Sequence, residues 1–207
     1  MIKRQALLMA AVAAGLSMTA MAETAGTWTV GVGVGHVEPD SKNGNLGDIR
    51  IDHIDPDVRP TLTAEYFVAD NVGVELLAAL PFHHDIIIDI PNVGMREAKT
   101  QLLPPTLSLQ YHFDNVHANV KPFVGVGANY TTFFKERSGV EGLDMEIKDS
   151  WGVAGHAGID FKINETDAVR LDARYIDLEP DVKLGGEDAG TAEINPWVYG
   201  ISYVQRF

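Results

Sequence analysis

A strict two-residue alternation of side-chain character runs along much of this chain, and it is clearest over residues 194–207. Trp197, Tyr199, Ile201 and Tyr203 share one face of a predicted strand, with Val198, Gly200, Ser202 and Arg206 on the other, since successive strand side chains point to opposite sides. A globular protein has to cover such an aromatic face, whereas a membrane barrel presents it to lipid and places Trp and Tyr near the headgroups. The pattern therefore indicates a strand that faces a bilayer.

Seven other segments alternate in the same way, at residues 27–37, 61–68, 72–80, 103–113, 122–130, 151–161 and 168–176. Short connections at 69–71, 114–120 and 162–166 alternate with long ones at 38–58, 81–99, 135–149 and 177–190, which we interpret as loops. Even strand numbers, with short turns at one end and long loops at the other, are typical of bacterial outer-membrane barrels. The sequence thus predicts an all-β fold: an eight-stranded antiparallel transmembrane β-barrel with short periplasmic turns and long extracellular loops.

Six charged residues fall on the inward-facing side of these predicted strands. They are Glu65, Glu75, Asp160, Arg170, Asp172 and Arg174. The alternative fold, a soluble lipocalin-type barrel, hides its apolar face inside and shows charge outside. Because six charges are costly in an apolar core but can be held in a wet or mutually paired lumen, their position favours the membrane barrel.

The first 22 residues have the layout of a secretory signal peptide. Lys3 and Arg4 precede an apolar run over 6–14, and small residues lie just before a predicted cleavage at Glu23. We therefore expect the barrel to occupy residues 23–207. The chain has no cysteine and a formal charge of −13, so a disulfide scaffold is ruled out and a nucleic-acid partner is not expected.

Several motifs, in the right order along the chain, resemble the OmpW family of small outer-membrane β-barrel proteins, which includes OprG- and AlkL-like members. They are LLPPTL at 102–107, KPFVGVGANY at 121–130, DSWG at 149–152, RYID at 174–177 and NPW at 195–197. The resemblance implies a barrel in the cell outer membrane that takes up small hydrophobic molecules and releases them sideways into the bilayer. Two positions depart from it: Gln205, where barrel C-termini usually carry an aromatic residue, and Arg174, where some relatives carry an aromatic residue in the lumen.

Pro104 and Pro105 interrupt an otherwise regular predicted strand. Proline cannot donate to a strand ladder, so two in succession are expected to break pairing with a neighbour. An unpaired backbone is expensive in lipid, and such a gap survives where it faces protein, water or a passing solute. We therefore predict a lateral gate at Pro104 and Pro105; the alternative is a bulge or strand end near the external rim.

The lumen charges allow two interpretations. Arg170, Asp172 and Arg174 share one face of a predicted strand, so they can pair with the acidic residues into a plug of the periplasmic half. The alternative is a narrow, water-filled, ion-conducting pore whose charges set its ion preference.

A third predicted feature is an apolar funnel at the external end. Its residues are Leu77, Phe82, Ile86, Ile87, Ile88, Phe123, Phe133 and Phe134. Apolar linings suit apolar ligands, so small hydrophobic solutes are the expected cargo. Ordinary loop packing, or contact with outer-leaflet lipid, would produce the same composition.

No cofactor or metal is expected. Adjacent residues such as His83, His84 and Asp85 rarely converge on one ion, so an incidental loop pair is the better interpretation. His36, Asp40 and Ser41 lie near one another in the sequence, but no nucleophile-elbow or metalloprotease motif is present, so we do not expect an enzyme.

The expected partners are small hydrophobic solutes, outer-membrane lipid and lipopolysaccharide, whose phosphates would share divalent cations with the loop carboxylates. Eight strands can close without a second copy, so a monomer is expected. The alternative function is a structural or adhesive barrel that works through its extracellular loops.

Overall fold

The computed structural model describes residues 24–41, 43–91, 93–114 and 119–207, so the predicted signal peptide lies outside the described residues. The described residues form fifteen β-strands. They are β1 (Trp28–Glu38), β2 (Asn45–Leu46), β3 (Ile49–Ile54), β4 (Asp57–Ala69), β5 (Val72–Ala79), β6 (Phe82–Ile90), β7 (Gly94–Leu103), β8 (Thr106–His112), β9 (Val120–Arg137), β10 (Met145–Ile147), β11 (Ser150–Lys162), β12 (Asp167–Ile176), β13 (Asp181–Leu184), β14 (Glu187–Thr191) and β15 (Trp197–Arg206). Within these ranges the structure contains no helix that is long and apolar enough to span a bilayer.

Eight of the strands close into an antiparallel barrel. β1, β4, β5, β8, β9, β11, β12 and β15 pair with their neighbours in chain order. The last strand then pairs with the first, from Thr29 opposite Arg206 to Glu38 opposite Trp197. Closure leaves no free edge in the wall, which is the condition for a sheet to cross a membrane. The predicted eight-stranded antiparallel barrel is confirmed.

The alternation in the sequence gives the barrel an apolar outside and a polar inside. Leu107, Val126 and Ile201 are about half exposed on the outer face. Glycines on the inner face keep strands and side chains close together: a Cβ at Gly33 would collide with the backbone of Ile201, and one at Gly127 would collide with the backbone of Leu107. The inner face therefore has little free space at these positions.

The four long connections are not loops alone, which corrects the interpretation of residues 38–58, 81–99, 135–149 and 177–190. β2, β3, β6 and β7 extend the barrel wall as further strands, and the last part of β9 pairs with β7. β10, β13 and β14 form a separate three-stranded sheet. These strands are short or lie above the membrane, where no lipid face imposes a long regular alternation of side chains. The alternation in the sequence therefore did not identify them as strands.

A buried apolar cluster fills the space enclosed by these extra strands. It includes Ile51, Ile86, Ile88, Ile147 and Val182 from both sheets, and it reaches the barrel rim at Val37, Ala154, Ile176 and Val198. The core of the molecule therefore sits at the long-connection end, directly above the polar barrel interior.

Aromatic pairs mark both ends of the outer face. Trp28 and Tyr66 lie at the short-turn end with ring centroids 4.8 Å apart. Trp151 and Tyr130 (4.8 Å) and Trp197 and Tyr175 (5.4 Å) lie at the other end. Two girdles of this kind, with an apolar band between them, fit the two interfaces of a bilayer.

The girdles predict where the tryptophans sit in a membrane. The chain has three tryptophans, and all three lie in the girdles. Lipids brominated near the headgroup should therefore quench the tryptophan fluorescence of the reconstituted barrel more strongly than lipids brominated near the chain ends. Stronger quenching by the deep bromines would contradict this placement.

Candidate functional site

Arg170, on β12, is the centre of a buried network of charged side chains in the short-turn half of the barrel. Its Nε and Nη2 donate to the Asp160 carboxylate at 2.7 and 2.9 Å, and its Nη1 donates to Glu75 at 2.8 Å. Nη2 also lies 3.4 Å from Glu65. The guanidinium carbon is 4.4 Å from the centre of the Phe123 ring, which packs against the cation.

Two further side chains complete this network. The Arg174 guanidinium donates to Glu75 at 2.9 Å and lies 3.4 Å from the Ser108 hydroxyl. The Nε2 of His112 lies 2.8 Å from Glu65. All of these charged groups are buried. The network joins β4, β5, β8, β11 and β12, so one set of ion pairs ties together five of the eight barrel strands.

The structure brings together five of the six lumen charges singled out in the sequence. Asp172 is the exception: it lies beside Gly200, and no ion pair joins it to the network within the described ranges. His112 was missed, although it lies on the polar face of its strand with Ser108 and Gln110, a signal that was available in the sequence.

Arg170 also separates two small cavities inside the barrel. A cavity of about 30 Å³ on its extracellular side is lined by Leu77, Phe123, Asp172 and Arg174. A cavity of about 20 Å³ on its short-turn side is lined by Thr29, Asp160 and Arg206. Arg170 lines both. The ion network therefore lies between the two cavities.

A third cavity, the upper cavity, lies among the extra strands at the extracellular end. Its volume is about 30 Å³. Its apolar lining includes Leu46, Ile49, Ile51, Ile54, Ile86, Ile88, Ala98, Leu102, Met145, Ile147, Pro180, Val182, Leu184, Ala192 and Ile194. Both extracellular sheets contribute to this lining, and no strand pairing joins them in the described ranges. Parting the sheets would therefore break no ladder, but it would break the hydrogen bond from the Glu193 amide to the Asn43 carbonyl oxygen (3.1 Å), which joins the segments after β14 and before β2.

The predicted funnel residues fall into three groups. Ile86 and Ile88 line the upper cavity, and Phe82 and Phe133 are buried in the same apolar cluster. The prediction that Ile87 and Phe134 line the funnel is wrong. Side chains alternate along a strand, so both residues lie on the opposite, partly exposed face of their strands. The prediction is also wrong for Leu77 and Phe123, which line the cavity deeper in the barrel instead of an external funnel. Phe123 there packs against Arg170 of the ion network.

His84 is the polar exception in the upper cavity. It is 2% exposed, and its Nδ1 lies 2.6 Å from the backbone carbonyl oxygen of Asp55. Its Nε2 is buried and has no hydrogen-bond partner in the part of the chain that the structure describes. Burial lowers the pKa of His84, so the imidazole is neutral at pH 7. His83 lies on the opposite, exposed face of β6, so the two histidines diverge and do not face a common ion.

His36, Asp40 and Ser41 do not form a catalytic arrangement. The ring of His36 lies on the outer face of β1, stacked on Tyr199 with centroids 6.4 Å apart. Ser41 bonds back to its neighbour, with its amide donating to the Asp40 carboxylate at 2.6 Å.

The pairing between β5 and β8 stops next to the two prolines. The last pair on these strands is Leu77 with Thr106, and pairing resumes between β6 and β7 at Phe82 and Leu102. No pair joins the described residues 78–81 to residues 103–105 across this interval, whereas Ala78 and Ala79 still pair with β4 and Leu103 still pairs with β9 on their other sides. We call this interval the seam. It lies in the barrel wall at the level between Leu77, which lines the deeper cavity, and Leu102, which lines the upper cavity.

The other side of the prolines is held firmly by β9. The Tyr130 amide donates to the Pro105 carbonyl oxygen at 3.0 Å. The side-chain amide of Asn129 lies 3.2 Å from the carbonyl oxygens of both Pro104 and Pro105. Asn129 was not singled out in the sequence, because nothing local shows which carbonyls an inward-facing amide reaches.

A closed barrel with two aromatic girdles, an apolar outer band and buried charges defines an outer-membrane β-barrel protein. The family model that matches residues 24–207 is described as the OmpW family. Outer membrane protein W of Salmonella typhi is 36% identical over 203 residues, which is 93% of each chain. The crystal structure of OprG from Pseudomonas aeruginosa matches with a TM-score of 0.77 and 31% identity, over 90% of this chain and 98% of that one.

A more distant relative is the dibenzothiophene metabolism operon protein PahQ of Pseudomonas aeruginosa, 26% identical over 146 residues, with coverage of 69% of this chain and 68% of its own. The family model over residues 24–207 and the 36% identity to outer membrane protein W show that the chain belongs to the OmpW family. Its location is the cell outer membrane.

The ion network predicts a large stability loss when its centre is removed. Arg170→Gln leaves the buried Asp160 carboxylate without its main partner and leaves Glu75 paired with Arg174 alone, which should cost about 3–5 kcal/mol. Urea unfolding of the barrel in micelles measures this cost. Asp172→Asn, on the same strand but apart from the network, is the matched control and should cost clearly less; equal losses would contradict the central role of Arg170.

The buried, neutral His84 predicts a dependence of stability on pH. Because its folded pKa lies below the ordinary value of 6.5, the unfolded chain takes up a proton below about pH 6.5 that the folded protein rejects. Stability is therefore full above pH 6.5 and falls as the pH drops toward the folded pKa. Urea unfolding between pH 7.5 and 5 should show this loss reduced in His84→Phe but retained in His83→Phe, which alters the exposed face.

Proposed function

We propose that this barrel is a channel for the passive uptake of small hydrophobic molecules, which enter the upper cavity and leave sideways into the bilayer through the seam. The observation that carries the proposal is the seam itself, an interruption of strand pairing in the barrel wall at the level between the apolar upper cavity and the ion network. The role of Pro104 and Pro105 as a lateral gate is part of this proposal.

The lining of the upper cavity supports apolar cargo. Nearly all of its side chains are aliphatic, and apolar surface attracts apolar solutes out of water. The name of the relative PahQ points the same way, because dibenzothiophene is an apolar aromatic compound. A solute larger than water would enter by parting the two extracellular sheets.

The ion network supports sideways release over passage straight through the barrel. An apolar solute that continued toward the periplasm would meet Arg170 and its buried carboxylates, and separating those pairs exposes unpaired charges. The membrane beside the seam offers an apolar environment at no such cost. In this proposal the network acts as a plug, and the same closure disfavours an open ion-conducting pore.

The remaining functional assignments follow from this proposal. We propose no catalytic role, and a monomer as the working unit, because the closed wall needs no second copy. The partners are then the apolar solute, outer-membrane lipid and lipopolysaccharide.

The seam can be tested by closing it reversibly. The native chain has no cysteine, so Ala78→Cys with Leu103→Cys introduces one thiol on each side of the seam for a reducible thiol-reactive crosslinker and keeps both prolines. The crosslink should abolish uptake of an apolar dye into liposomes, and reduction should restore it, because the solute would then regain its route into lipid.

The matched control places the same crosslink where β5 and β8 already pair. Val74→Cys with Leu109→Cys lies below the seam, within the paired region of β5 and β8, and its crosslink should leave uptake unchanged. Normal uptake with the seam crosslinked would overturn the lateral route. A large, steady ion current through the unmodified barrel would overturn the plug.

A further inference from the structure

We propose that His84 is a specificity-determining residue of the upper cavity, and that its Nε2 selects apolar solutes that carry one hydroxyl group, such as phenols and alcohols, over hydrocarbons and ethers. The inference rests on the proposed function, because it assumes that apolar solutes occupy this cavity. It adds the chemical class of the preferred solute.

The hydrogen bond on one side of the ring fixes what the other side can do. The Nδ1 of His84 lies 2.6 Å from a backbone carbonyl oxygen of Asp55, which can only accept. Nδ1 therefore carries the proton. In a neutral imidazole the other nitrogen, Nε2, then presents a lone pair, so it needs a donor.

No group among the described residues supplies that donor. Nε2 is buried and without a hydrogen-bond partner. Thr100 lies directly opposite on β7, but its hydroxyl is directed to the backbone carbonyl of Gln101, 3.5 Å away. His84 and Thr100 are the only polar side chains among the described lining residues. A trapped water typically needs two to four polar partners, which this lining does not readily provide.

The direction of the side chain makes Nε2 available to a solute. His84 lies on the same inward face of β6 as Ile86 and Ile88, which line the cavity with it. Nε2 is the ring nitrogen farther from the backbone. A solute hydroxyl could therefore donate to Nε2 while its apolar body packs on the surrounding aliphatic side chains, whereas a hydrocarbon leaves the buried acceptor unpaired.

Three probes of nearly equal size separate these cases. 2-Naphthol can donate a hydrogen bond, 2-methoxynaphthalene can only accept one, and 2-methylnaphthalene can do neither. Binding to the purified full-length barrel in nanodiscs, corrected with empty nanodiscs, should be roughly tenfold tighter for 2-naphthol than for the other two. The preference should disappear in His84→Leu and persist in His83→Leu, which changes the exposed face of the same strand.

A spectroscopic measurement on the unmodified chain covers the possibility that His84→Leu fails to fold. The ¹⁵N shifts of His84 should report a proton on Nδ1, and the Nε2 shift should move on binding 2-naphthol but not 2-methylnaphthalene. Equal affinity for all three probes would overturn the role of His84 and leave the proposed uptake standing. Binding of none of them would count against both.

Discussion

The packing of charged side chains inside this barrel depends on the buried guanidinium of Arg170. Three carboxylates from β4, β5 and β11 surround it, and each would be costly inside a narrow barrel without a cation. The same contacts cross the lumen, so pairing the charges also fills the space between the strands. Inward-facing glycines such as Gly33 and Gly127 allow the wall to approach closely. The chemistry that makes the buried charges tolerable is thus also what packs the interior of the short-turn half.

The extracellular half has the opposite character. Its cavity is lined by aliphatic side chains from two sheets that share no strand pair in the described ranges, whereas the lower half is tied by directional ion pairs across five strands. Apolar contacts are non-directional and can re-form after a displacement, but a charge network loses much of its energy when one partner moves. Any change of shape that admits a solute should therefore be concentrated above the barrel, and the seam lies at the boundary between the two halves.

The sequence predicts the barrel well because lipid on one side and a lumen on the other impose a period of two. That pattern identified all eight barrel strands, and it also assigned Glu65, Glu75 and Arg170 to the inner face. It was less informative in two places. In the run Ile86-Ile87-Ile88 every residue is apolar, so composition did not show that Ile87 faces out. For Phe123 the inward direction was predictable, but its depth depends on the register between strands, which no single segment encodes.

The seam illustrates how a membrane wall can contain a gap without leaving polar groups unsatisfied. A missing strand pair normally orphans both donors and acceptors, which is costly in lipid. Pro104 and Pro105 have no amide hydrogen, so they leave no donor unpaired, and Asn129 and Tyr130 contact their carbonyl oxygens from β9. Across the gap, Pro81 also lacks a donor, and the Leu80 amide bonds to Pro60 on β4 at 3.0 Å. Because these backbone groups at the borders lack a donor or have a partner elsewhere, the gap costs less than two ordinary unpaired strand edges would.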